Sequence, residues 1–96
     1  MHRRMTPTER KWRLESTILA ARAHLPEERA EDVVRNAATS LTCDEAVGLP
    51  TDPEQAFRDA LEHRRRVFGW RLGWPEQCVR DCARAWRAGS GPIEVG

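Results

Sequence analysis

The sequence predicts an all-α fold, a compact bundle of about four short helices in a single domain. Three observations lead there. Four stretches repeat apolar residues at spacings of three and four, the period of a helix with one face turned to a core. Each of them opens on a proline, Pro7, Pro26, Pro53 or Pro75, which suits the first turn of a helix and little of its interior. No stretch sustains the apolar/polar alternation of a strand or holds an Asn-Gly type hairpin turn. At 96 residues the chain is near the smallest size at which one core holds a fold without cross-links, so a second domain is not expected. Residues 1–89 are read as the helical domain and 90–96, "SGPIEVG", as a flexible C-terminal tail.

The first helix starts at "TPTE", with Thr6 as N-cap, Pro7 at the first position and Glu9 three residues beyond the cap. Leu14, Ile18, Ala21 and Leu25 form its inward stripe, flanked by Trp12 and Leu19, and it should run to about residue 24 before Pro26 breaks it. In the second helix Ala30, Val33, Val34, Ala37, Ala38 and Leu41 make the cleanest stripe of the chain. Their small size predicts a central helix with large aromatics leaning on it. "TCDE" at 42–45 then reads as the cap of one further short turn ahead of Gly48.

The third helix has Asp52 as N-cap, Pro53 at the first position and Gln55 closing the capping box. Phe57, Leu61 and Phe68 line its inner face beside Ala56, Ala60 and Val67, while Glu54/Arg58 and Glu62/Arg66 are spaced to pair outside, and Gly69 ends it. The fourth helix repeats the pattern through Cys78, Val79, Cys82, Ala83 and Trp86 and stops at Gly89.

Charge excludes some functions and sharpens others. Net charge is +1, without the bulk positive footprint of a nucleic-acid binder. Its distribution is uneven: basic over residues 1–13, acidic over 27–59, and arginine-rich over 63–87. Basic and acidic helices are therefore expected to pair across the fold or to face water. No apolar run approaches the roughly 20 residues that span a bilayer, and the basic start is followed by no apolar stretch of signal-peptide type, so no membrane contact and a cytoplasmic location are expected.

Three cysteines are an odd number, which disfavours a disulfide framework, and buried reduced thiols are the expectation. Cys78 and Cys82, four apart, share a helix face and could offer two ligands to a metal. No second half-motif completes a zinc site, and both lie in the apolar stripe, so neither a metal nor another cofactor is expected. Their spacing also misses the Cys-x-x-Cys redox motif by one residue.

The densest functional signal is "HRRRVFGWR", residues 63–71, where Arg64, Arg65, Arg66 and Arg71 stand beside Trp70. Trp70 and Trp74 fall in a connection rather than on a stripe, and tryptophan with arginine is the composition of binding hot spots. Arginines in the last turn of a helix also offset its dipole, and rings in a loop can pack it down, so each feature has a purely structural reading as well. Arg80, Arg84 and Arg87 fall near one face of the fourth helix, the one place where a helix-turn-helix could present a basic recognition helix. No Gly-rich phosphate loop, activated nucleophile or carboxylate pair in an apolar stripe is present, so an enzyme is not expected. The expected function is stoichiometric binding of a macromolecular partner, first of all a protein. Small inhibitors and adaptors of phages and other mobile elements, anti-CRISPR inhibitors among them, have this size and composition. The alternative is a small DNA- or RNA-binding regulator that uses the arginines of helices three and four.

Overall fold

The computed structural model describes residues 6–71 and 75–89, and within them the chain forms four helices and no strand. They are α1 (Pro7–Ala21), α2 (Glu27–Ala46), α3 (Pro53–Phe68) and α4 (Pro75–Ala88). Trp74 and the expected tail, 90–96, lie outside the described residues. The expected starts of α1 and α3 are borne out, because Thr6 Oγ1 accepts from the Glu9 amide at 3.1 Å and Asp52 Oδ1 from the Gln55 amide at 3.3 Å. α2 starts behind Pro26 with no side-chain cap, and Glu27 and Glu28 in its first turn offset the helix dipole instead.

Each helix packs principally on two others, α1 on α4 and α2, and α3 on α2 and α4. The result is a ring of antiparallel neighbours with no central member, which corrects the central place expected for α2. Its small residues are buried nonetheless, in one cluster with Phe57, Leu61, Val79, Cys82 and Trp86. Phe57 of α3 and Trp86 of α4 meet edge to face at 6.5 Å, the largest ring contact of that cluster and a geometry that aromatic quadrupoles favour.

Several local expectations yield to competing partners. "TCDE" caps no separate turn: α2 runs through it to Ala46, since nothing there breaks the ladder and the Thr42 hydroxyl donates back to the Ala38 carbonyl at 2.7 Å. Gln55 does not close its box, because its side-chain amide donates to Asp59 at 2.7 Å. Glu54 and Arg58 do not pair with each other; α4 lies alongside and offers Arg87 to Glu54 at 3.8 Å and Glu76 to Arg58 at 2.9 Å. Glu62 and Arg66 do pair, at 3.7 Å. Phe68 and Val67 are exposed, not buried, for the last turn of α3 projects past the start of α4, where Pro75 and Glu76 sit beside Arg58, Leu61 and Arg65.

The uneven charge resolves into pairs across the fold. Arg64 of α3 grips Asp32 of α2 with two hydrogen bonds, Nε to Oδ2 at 2.6 Å and Nη2 to Oδ1 at 3.0 Å. His24, in the turn after α1, meets Asp81 of α4 at 2.8 Å.

Candidate binding edge

One end of the bundle gathers the first turn of α2, the last turn of α3 and residues 69–71. Gly69 closes α3 in the left-handed region, φ 68°, a conformation that costs other residues, and it turns the chain so that Trp70 folds back on the core. Trp70 stacks on Phe68 with centroids 6.3 Å apart and planes inclined by 30°. The Arg29 guanidinium lies 4.7 Å from the centre of Trp70, and that of Arg64 lies 6.0 Å from the centre of Phe68. The two stacked rings are therefore flanked by a cation on each side, Arg29 at Trp70 and Arg64 at Phe68, and each cation is attracted to the π-face beside it. Above this stack Phe68 stays 61% exposed and Val67 59%.

The arginine run divides by face. Arg64 is only 8% exposed, and besides Asp32 it reaches His63, whose Nδ1 stands 2.6 Å from Nη1. The hydrogen bonds from Arg64 hold the Asp32 carboxyl below its ordinary range. Arg64 is thus withdrawn from the surface assigned to it on the sequence. Arg65 and Arg66 are exposed and share Glu62, at 3.0 and 3.7 Å, and hydrogen bonding to Arg65 holds the Glu62 carboxyl down. Arg71 is exposed at the same edge.

Arg80, Arg84 and Arg87 do not join them. They line an open depression on the outer face of α4 together with Glu54 and Ala88, with Arg87 tied to Glu54 and Arg84 4.0 Å from Asp81. The edge thus brings together Arg65, Arg66, Trp70 and Arg71 of the expected set and adds Val67, Phe68 and Arg29. Phe68 had a legible signal, since a ring in the last residue before a terminating glycine has little helix left to pack it. Arg29 had none, standing alone among acids.

The cysteines separate likewise. Cys78 and Cys82 are buried, and Cys82 is pushed far up by its hydrogen bond to Cys78 and by burial, which leaves it a poor nucleophile at neutral pH. Cys43, expected to be buried, is exposed, because it lies off the α2 stripe that ends at Leu41. Among the described residues no group of three or more His, Cys, Asp or Glu side chains is placed to hold a metal ion, and no helix is long and apolar enough to cross a membrane.

No protein-family model matches this chain, and no curated protein or solved structure matches it significantly. The apolar tip of the edge is rimmed by cations whose local carboxylates, Asp32 and Glu62, are already engaged. Such a surface suits an apolar anchor entering a pocket, with charge at the rim setting orientation.

Proposed function

We propose that the protein binds another protein stoichiometrically, as an inhibitor or adaptor does, through the edge formed by Val67, Phe68 and Trp70 with Arg65, Arg66 and Arg71 around them. The observation that carries this reading is the exposure of Phe68 on a ring stack flanked by the Arg64 and Arg29 guanidinium groups. A preorganised aromatic anchor loses little freedom on docking, and aromatic and arginine side chains dominate binding energy at interfaces. The complementary partner carries an apolar pocket bordered by carboxylates. Binding of a nucleic acid is supported less, because the net charge is only +1 and the exposed arginines are divided between this edge and the outer face of α4 and so form no continuous phosphate track.

The test is capture from nuclease-treated host lysate on immobilised wild type, followed by calorimetry with the purified captured protein. Phe68→Ala and Trp70→Ala should each weaken binding by about thirtyfold or more, the hot-spot scale, while Phe68→Ala leaves helicity unchanged. Undiminished affinity in both variants removes the edge from consideration. Capture that disappears with nuclease, together with a steep fall of DNA or RNA affinity with salt, transfers the function to Arg80, Arg84 and Arg87.

A further inference from the structure

A second site lies at the opposite end of the bundle, independent of the binding edge. There a cleft of about 210 Å³ opens between α1, the end of α2, the connection into α3, and α4, with Arg13, Leu41, Glu45, Leu49, Pro50 and Trp86 in its walls. Two features of it are unexplained by the fold. The Arg13 Nε is sealed from water with no hydrogen-bond partner, and the Arg13 guanidinium forms no ion pair with any described residue. An orphaned donor in the interior is costly, more so on a cation, and natural structures rarely leave one without a purpose. The second feature is Leu49, 56% exposed on the rim of the same cleft and close to Val47, also exposed, in a short connection with no packing reason to carry either.

We propose that this cleft binds a carboxylate joined to a small apolar body. The guanidinium offers donors in a planar fork that matches two carboxylate oxygens, and its attraction to the buried Trp86 ring, 6.0 Å from the ring centre, holds it in the cleft wall. Arginine has several rotatable bonds, so its donors turn to an arriving acceptor without any movement of α1. Leu49 and Pro50, both exposed, supply the apolar wall against which a small body can rest. The volume is below the roughly 300–1,000 Å³ of sites for drug-sized ligands and fits about one amino-acid residue. The ligand is thus either a free monocarboxylic acid or the C-terminal residue of a peptide.

Titration of the nitrogen-labelled full-length protein followed by two-dimensional NMR tests this, with N-acetyl-leucine, N-acetyl-leucinamide, and a short peptide ending in leucine with a free or an amidated terminus. The indole N–H of Trp86 and the amides of Leu49 and Thr51 should shift saturably with the acids, and respond at least about tenfold more weakly to the amides, which lack the charge. Tighter binding of the peptide acid than of N-acetyl-leucine identifies a chain terminus as the ligand; equal binding identifies a free acid. Arg13→Gln should abolish the response and keep the fold, since it removes an unpaired charge. If that variant unfolds, the comparison of acid with amide on the wild type still decides. Equal response to acid and amide, shifts confined to other residues, no shift at all, or a response that survives in Arg13→Gln each overturn the proposal.

Discussion

Arg64 and Asp32 carry the most consequence per atom in the bundle. A guanidinium taken almost out of water is tolerable only with its carboxylate in place, and removing one partner of such a pair costs far more than the pair is worth. Asp32 is 47% exposed on its side chain, so water shares the load and the loss is discounted accordingly. Asp32→Asn should lower stability by about 1–2 kcal/mol at neutral pH, read from urea denaturation. The sign with pH follows from the direction of the shift. The Asp32 carboxyl is held below its unfolded value, so its stabilisation is complete above that value and disappears as pH falls through the lower, folded one. The gap between wild type and Asp32→Asn should therefore be constant from neutrality to about pH 5 and close below about pH 4. A gap unchanged in acid would show that the carboxylate charge is not what matters. On the sequence Arg64 is one of three adjacent arginines, and nothing in their chemistry separates them. Register does, since Phe57, Leu61, Arg64 and Phe68 fall on one helical stripe; what stays illegible is the acid that meets Arg64, thirty-two positions away.

At the scale of elements, starts were more legible than ends. Capping is settled within three residues, so "TPTE" and "TDPEQ" declare themselves, and Thr6→Ala or Asp52→Ala should each cost about 1 kcal/mol, seen as a lower denaturation midpoint. "TCDE" looks the same to local inspection but sits in the middle of a helix that tertiary packing extends, which is why the end of α2 was misplaced. The Glu54 and Arg58 pairing failed for a related reason: an i, i+4 partner loses when a neighbouring helix brings a better one. Two glycines show how differently one residue type is used. A Cβ at Gly69 meets nothing within 4 Å, so Gly69→Ala pays only for the left-handed backbone, about 1 kcal/mol. A Cβ at Gly89 would come within 3.0 Å of two backbone atoms, the Ala85 carbonyl oxygen and the Arg13 Cα, so Gly89→Ala must shift the end of α4 against α1 and should cost about 2 kcal/mol. Equal losses at the two positions would contradict this distinction.

For the molecule as a whole, helical structure keeps many contacts local, while the most extensive helix pairing joins the first helix to the last, so the fold closes as one unit and folding should show a single phase in stopped-flow or temperature-jump traces. Its core is thin in large side chains, so Phe57, fully buried against Trp86, bears a large share. Phe57→Ala should cost about 3–5 kcal/mol, a large part of the roughly 5–15 kcal/mol that holds small domains, and leave a broad or absent melting transition. Fold class, helix number and the inward stripes could be read in advance because they follow from period and caps. The edge was legible only in part, since exposure of Phe68 depends on where α4 begins. The three thiols, finally, make the chain its own clock. Cys43 is open to any alkylating reagent, whereas Cys78 and Cys82 face inward from α4 with essentially no exposure. One equivalent of reagent is consumed at once, and the next two wait until α4 leaves its neighbours. Mass spectra of a labelling time course then count native and opened molecules directly, in buffer, without denaturant or added dye.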